Sequence, residues 1–289
     1  MKPAPFDYVA PRTIEEALRI LADAGGGATI IAGGQTLMPL LNLRMSQPFI
    51  IVDINGIAEL QGVSRSGDAI RVGPVTKQNE ALGSEMLARE LPVFVEALGH
   101  VGHHQTRNRG TIGGSVSLGE AAAEMPAAAV ALGATIEIRS LRGTRRVPAR
   151  EFYIGPYLTV LEPDELVIAI DYPVWPKGHV TLFREVTRRP GDFALVGLVG
   201  ALAVDEGRIT RAGIAWFGMG PTPIAALQAE TALVGQAVAS IRPNAIAELA
   251  VADTAPLTDH HASAEYRRIV GLRIVARQLR EKLDIREAA

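Results

Sequence analysis

The sequence contains no cysteine, and that one absence excludes disulfides, thiolate metal sites, cysteine-ligated iron–sulfur clusters and cysteine nucleophiles together. Any iron–sulfur chemistry linked to this protein must therefore sit on another chain. An excess of one charge is also missing. With 29 Lys+Arg against 31 Asp+Glu the net charge is −2, and no basic run forms a nucleic-acid footprint, so no nucleic-acid partner is expected. No apolar segment approaches the roughly 20 residues of a membrane span, and the opening Met1-Lys2-Pro3-Ala4-Pro5-Phe6-Asp7-Tyr8 has no apolar signal core. A cytoplasmic protein with no membrane span is expected.

Common catalytic signatures are missing too. There is no Gly-x-x-x-x-Gly-Lys-Ser/Thr loop for a nucleotide hydrolase, and no Gly-x-Gly-x-x-Gly leading from a strand into a helix; Gly218-Met219-Gly220 is only a fragment of one. The Gly-x-Ser-x-Gly elbow of a serine hydrolase is absent, since Ser115 is followed by Val116 and Ser117. His100, His103 and His104 lie close in sequence, but without a His-Glu-x-x-His pattern or a carboxylate at ligand spacing they read as polar residues ending a helix, so no metal site is expected. His260 and His261 read as surface or capping residues before the last helix.

What is present is a chain of 289 residues, 48% hydrophobic, enough to bury a sizeable core in two or three subdomains. Thr13-Ile14-Glu15-Glu16 has a capping-box pattern at the head of an amphipathic helix through Ala24, with Ala17, Leu18 and Leu21 on one face. Ala28 to Ala32 reads as a strand, Leu37 to Arg44 as a short helix with Pro39 in its first turn, and Phe49 to Asp53 as a buried strand. Short strands within Ile57 to Val75 precede two helices, over Lys77 to Arg89 and Leu91 to Gly99. Ala121 to Leu132 reads as a helix, Thr135 to Arg139 with Thr144 to Pro148 as a hairpin, and Glu165 to Tyr172 as a strand. Pro173 to Gly178 marks a boundary. Beyond it, strands at Thr181 to Thr187, Ala194 to Val204 and Ile209 to Phe217 lead to helices near Thr222 to Val234, Pro243 to Val251 and Ser263 to Leu283, an α+β pattern.

Two stretches carry candidate chemistry. Ala32-Gly33-Gly34-Gln35-Thr36 follows a strand, and Arg107-Asn108-Arg109-Gly110-Thr111-Ile112-Gly113-Gly114-Ser115 follows a helix. Each pairs glycines, which let a ligand approach the backbone, with small hydrogen-bonding side chains. Taken singly each is consistent with a tight turn; taken together they suggest N–H groups converging on one anion from two sides, such as a dinucleotide pyrophosphate. Glu120 and Glu124 stand before the alanine-rich helix, where they either favour its dipole or accept hydrogen bonds from ligand hydroxyls.

These residues resemble the two flavin loops of the FAD-binding medium subunit of molybdenum hydroxylases, the xanthine dehydrogenase and carbon monoxide dehydrogenase family. The resemblance spans the chain, including Phe6-Asp7-Tyr8, Phe183-Arg184, Arg188-Arg189-Pro190-Gly191-Asp192-Phe193 and Ser263-Ala264-Glu265-Tyr266-Arg267-Arg268. It implies an α+β protein with an FAD-binding fold of the vanillyl-alcohol-oxidase (PCMH) type, two α/β lobes (1–57 and 58–176) and a C-terminal α+β lobe (177–289). It implies FAD contacts from Ala32, Gly33, Gly34, Gln35, Thr36 and Leu37, from Val101, and from Thr111, Ile112, Gly113, Gly114 and Ser115. By similarity Glu124 meets the adenosine portion, Glu120 is a further cofactor contact, Ile168 lies beside the flavin, and Arg184 lies near the cofactor. Family members commonly carry Ala-Asp-Pro where this chain has Gly119-Glu120-Ala121, and Gln35-Thr36 replaces the frequent Gln-Ser or His-Ser.

The implied function is electron transfer, with no catalytic acid or base on this chain. A molybdenum cofactor on a large molybdopterin subunit and [2Fe-2S] clusters on a small subunit would supply electrons, FAD would pass them to an external acceptor, and the assembly would be a dimer of heterotrimers. A stand-alone FAD oxidoreductase of the same fold, or a subunit with a structural FAD, are the alternatives. A bulky change at Gly113 is expected to block FAD binding without unfolding the chain.

Overall fold

The first helix shows how local sequence starts the fold. Thr13 adopts extended backbone and its hydroxyl accepts from the Glu16 N–H at 3.1 Å. Glu16 in turn accepts from the N–H of Arg12 at 2.8 Å, one residue earlier than a reciprocal box requires. The helix Ile14–Asp23 then buries Ala17, Leu18 and Leu21 against Val52, Ile57 and Leu60, with Leu166 from the following sheet in the same cluster. In this computed structural model residues 2–285 are described. Residue 1 and residues 286–289, the outer ends of the expected first and third lobes, lie outside them.

The strands sort into three principal sheets. Asp7–Val9, Ile50–Asp53 and Ala28–Ile31 form a parallel sheet with Ile50–Asp53 in the middle. Val63–Ser66, Ala69–Val72, Leu166–Pro173, Thr135–Ser140 and Gly143–Pro148 pair in that order, antiparallel throughout. One face of this second sheet carries an ion-pair ladder. Arg71 reaches Glu137 and Asp171 at 2.7 and 2.8 Å, and Arg146 reaches the same two carboxylates, both at 2.8 Å.

Val180–Val186, Val196–Asp205, Arg208–Phe217 and Ile224–Ala225 form the third sheet, also antiparallel. The helices Leu227–Leu233, Pro243–Ala252 and Ala264–Leu283 pack with it into a cluster that includes Leu198, Trp216 and Leu279. Between the second and third sheets runs the helix Glu124–Leu132, every residue of which is buried. The helix backbone lies directly against the third sheet: a Cβ on Gly213 would lie 2.1 Å from the Ala131 carbonyl oxygen, so that crossing requires glycine. Phe94, Tyr172, Phe183 and Phe217 belong to one continuous core spanning both sheets, with ring centroids 5.2 Å apart for Phe94–Tyr172 and 6.2 Å for Phe183–Phe217.

The expected elements lie close to those observed, with four principal differences. The helix expected near Thr222 to Val234 begins at Leu227, after the short strand Ile224–Ala225. Lys77 to Arg89 forms two short helices, Gln78–Leu82 and Glu85–Glu90. The alanine-rich helix begins at Glu124 rather than Ala121. Arg107 to Ser115 is not a loop but the end of one helix, His104–Arg109, and the start of another, Ile112–Leu118.

Candidate flavin site

The parallel sheet delivers the chain at the end of Ala28–Ile31 to Ala32-Gly33-Gly34-Gln35-Thr36, after which Leu37–Asn42 is helical. Gly34 sits at φ 69°, in the left-handed region that favours glycine. A Cβ on Gly33 would lie 2.6 Å from the Arg109 carbonyl oxygen and 2.7 Å from the Gly110 Cα. The two glycine segments singled out in the sequence thus touch backbone to backbone. Among the described residues the N–H groups of Gly33, Gly34, Gln35, Thr36 and Leu37 donate to no protein acceptor. Gly33, Gly34 and Gln35 of this run border a cavity of about 370 Å³ whose lining also includes Ala32, Met38, Asp53, Asn55 and Arg109.

The second segment is built differently. Thr111 is buried and caps the helix Ile112–Leu118, its hydroxyl accepting from the Gly114 N–H at 3.0 Å. Ile112 N–H donates to the Thr76 carbonyl at 3.0 Å, Gly113 N–H to the Pro74 carbonyl at 2.9 Å, and Ser115 N–H to the Thr111 carbonyl at 3.2 Å. The expectation of free backbone donors from Gly113 and Gly114 is therefore corrected: these N–H groups are already used. Gly113 is glycine because a Cβ would lie 2.3 Å from the Pro74 Cβ and 2.6 Å from its Cα, so a bulky residue there would disturb folding and not cofactor binding alone. What this segment offers a ligand is the Ser115 hydroxyl and the Arg109 side chain.

Behind the cavity lies a polar network that motif reading missed. The Tyr8 hydroxyl donates to Asp53 at 2.5 Å, Asn55 Nδ2 donates to Asp53 Oδ1 at 2.7 Å and to the Ala32 carbonyl at 2.6 Å, and Lys77 Nζ donates to Asn55 Oδ1 at 2.5 Å. Burial pushes the Asp53 carboxyl up, but the hydrogen bonds from Tyr8 and Asn55 outweigh it and hold the group below its ordinary value. Burial, helped by Arg109, lowers the Lys77 ammonium. The network fixes Ala32 and so sets the path of the free N–H groups. Its signal in the sequence was the position of Asp53 and Asn55 at the carboxyl end of a parallel strand, where α/β sheets bind ligands.

Comparison with known proteins decides the family. A family model described as the FAD binding domain in molybdopterin dehydrogenase matches residues 4–175, and one described as the CO dehydrogenase flavoprotein C-terminal domain matches residues 181–282. The chain belongs to the FAD-binding medium-subunit family of molybdenum hydroxylases. It is 40% identical over 284 residues, 98% of this chain and 96% of the relative, to the 6-hydroxypseudooxynicotine dehydrogenase complex subunit alpha of Paenarthrobacter nicotinovorans. It is 36% identical over 267 residues, 92% of this chain and 93% of the relative, to the carbon monoxide dehydrogenase medium chain of Afipia carboxidovorans. A solved carbon monoxide dehydrogenase from Hydrogenophaga pseudoflava, lacking the Mo-pyranopterin moiety of its cofactor, superposes with a TM-score of 0.94 at 33% identity, covering 98% of this chain and 99% of that one.

For a flavin subunit the donor set fits the ligand. Successive unpaired N–H groups beside a guanidinium suit a pyrophosphate, and the absent Cβ at Gly33 lets this loop lie against the Arg109-Gly110 backbone. The other expected contact residues are placed as follows. Val101 ends the helix Pro92–His100, and its carbonyl accepts from Arg107 Nη1 at 2.9 Å. Glu120 is engaged locally, accepting from the Ala122 N–H at 2.9 Å and from the Tyr157 hydroxyl. Glu124 is 4% exposed, and burial pushes its carboxyl up to about 8. Ile168 is the extra residue where the pairing of Leu166–Pro173 with Thr135–Ser140 shifts register, and it packs on the core of the parallel sheet. Arg184 is not brought to the cavity. It lines a separate groove of about 180 Å³ with Arg273 and Arg277 of the last helix, because Leu182 and Phe183 before it alternate between opposite faces of the third sheet.

Proposed function

We propose that this chain is the FAD-carrying electron-transfer subunit of a multi-subunit molybdenum hydroxylase. The observation that carries the reading is the row of unpaired N–H groups from Gly33 to Leu37, which meets the backbone of Arg109-Gly110 at Gly33 and borders one cavity at Gly33 to Gln35. In this reading Ala32 to Leu37 hold the pyrophosphate, Ser115 and Arg109 close on it from the other side, and Glu124 with Val101 serves the adenosine end. FAD, when bound, supplies a relay between one-electron carriers and an external acceptor. The chain's own part is to hold and orient it: Asn55 fixes the first loop, Thr111 and Pro74 fix the second, and no side chain here moves a proton in the substrate chemistry.

The electron source is a small subunit with [2Fe-2S] clusters, fed by a molybdenum cofactor on a large subunit, which accords with the absence of cysteine here. The relatives' names as medium chain or complex subunit support such partners. The assembly we propose is a dimer of heterotrimers in the cytoplasm, with lobes at 1–57, 58–176 and 177–289; no helix among the described residues is long and apolar enough to cross a membrane. The test is flavin content. The purified chain, alone or with its partners, should show flavin absorbance or acquire it when FAD is added, and substrate added to the assembled complex should bleach it. A chain that neither carries nor takes up FAD would sink the proposal, and a flavin that stays oxidised during turnover would mark it as structural.

A further inference from the structure

The last helix gathers charge of one sign. Ala264–Leu283 carries six basic residues against two acidic ones, a net +4 in a chain whose net charge is −2. One side of it packs on the third sheet. Ile274, Val275 and Leu279 are buried there, and Gln278 accepts from the Phe183 N–H at 3.2 Å, which fastens the helix to the edge strand Val180–Val186. Beside that seam Arg273 and Arg277 of the helix and Arg184 of the strand line a groove of about 180 Å³, together with Val186, Val270 and Ile274.

The side of the helix turned away from the sheet has no partner in this chain. Tyr266, Ile269, Arg273 and Arg277 recur at steps of three and four residues, so they form one stripe over about 16 Å of helix. Tyr266 and Ile269 are 43% and 41% exposed, two large apolar side chains lined up with guanidiniums. Arg277 pairs with Glu281 on its own next turn at 2.6 Å, whereas Arg184 and Arg273 have neither a hydrogen bond nor an ion pair among the described residues. The second sheet treats its arginines differently: Arg71, Arg145 and Arg146 each meet a carboxylate between 2.6 and 2.8 Å. Tyrosine and arginine beside aliphatic side chains are the composition of interface anchors, and here the matching carboxylates are the part this chain does not supply.

We infer that this side of the last helix, with Arg184 of the adjoining strand, is a docking surface for an acidic segment of a partner subunit. The carboxylates of that segment pair with the three guanidiniums, and its apolar side chains cover Tyr266, Ile269 and the groove. A second copy of this chain does not fit the surface, because a two-fold contact through the stripe sets arginines against arginines. The inference rests on the reading of the chain as one subunit of a larger complex. It places one contact of that complex on the C-terminal part, at a groove that shares no lining residue with the flavin cavity.

The experiment uses the full chain with the small and large subunits of its complex. It measures the dissociation constant of the chain for those subunits at low and high salt, and the FAD content and thermal midpoint of the chain alone. Arg273→Glu combined with Arg277→Glu should weaken association by about a hundred-fold, since carboxylates then face carboxylates. Added salt should weaken association of the wild type and strengthen that of the reversed variant. Tyr266→Ala should weaken association by about ten-fold at either salt. FAD content and midpoint should stay at the wild-type values in all of these, because the altered side chains are exposed and line no part of the flavin cavity. Unchanged association in the reversed variant would overturn the inference, as would an equal loss on reversing the exposed Arg19 and Arg65 elsewhere on the chain, or a loss seen only together with a lowered midpoint. Each of these leaves the subunit reading standing. A wild-type chain that carries FAD and associates with neither subunit would overturn both.

Discussion

Glu124 offers a direct measurement of how the site is built. Its carboxyl lies at about 8 in the folded chain against an ordinary 4.5, chiefly because burial strips it of water, with repulsion from Glu185 adding to that effect. Between those two values the folded chain keeps the proton while the unfolded chain has released it. Stability from this group is therefore fully present below about pH 4.5 and is lost as pH rises to about 8. The slope cannot exceed about 1.4 kcal/mol per pH unit, and the whole window amounts to roughly 3–5 kcal/mol. Glu124→Gln keeps the shape and removes the titration. Urea unfolding of the flavin-free chain at intervals from pH 5 to 9 should show the variant gaining on the wild type as pH rises, with the difference levelling off above pH 8. A difference that stays constant across that range would refute the argument, because it would mean that Glu124 is solvated or already paired.

Other expectations follow from the loop geometry. Gly33→Ala places a Cβ against the backbone of Arg109 and Gly110, so the two segments must separate; FAD retention should be lost and unfolding in urea should come earlier by about 1–3 kcal/mol. Asn55→Ala removes the bond that holds the Ala32 carbonyl and should weaken FAD binding by about ten-fold in a fluorescence titration, with the thermal midpoint close to wild type because Asn55 is exposed. Thr111→Val deletes the cap of Ile112–Leu118 and should cost about 1–2 kcal/mol in urea unfolding. Gly113→Val should reduce soluble folded protein, seen by circular dichroism, before any question of flavin arises, because its Cβ meets Pro74.

Much of this architecture was legible because it rests on local rules. The Thr13 cap, the buried face of Ile14–Asp23, the Thr135–Ser140 hairpin strand with its alternating burial and the long final helix all follow from periodicity and capping. The helical fold of Gly113-Gly114-Ser115 was hidden for the converse reason. Paired glycines disfavour a helix, and here the Thr111 cap and the carbonyls of Thr76 and Pro74, more than thirty residues away, impose it. The network of Tyr8, the Asp53–Asn55 pair and Lys77 joins three segments too far apart in sequence for any spacing rule to connect.

The two Gly-Gly pairs make the limit concrete, since as letters they are the same and in space they do opposite things. At Gly33-Gly34 the missing side chains bring one loop against the other and leave a run of N–H groups with no protein acceptor. At Gly113-Gly114 they let the chain press onto Pro74, and every N–H is taken by the protein. On the proposed reading the first pair serves the ligand and the second the wall that carries Ser115 and Arg109. It follows that the binding energy for an anion is concentrated on one side of the clamp. Weakening Gly33 to Leu37 should then cost FAD affinity directly, whereas damage at Ile112 to Gly114 should register first as a loss of stability.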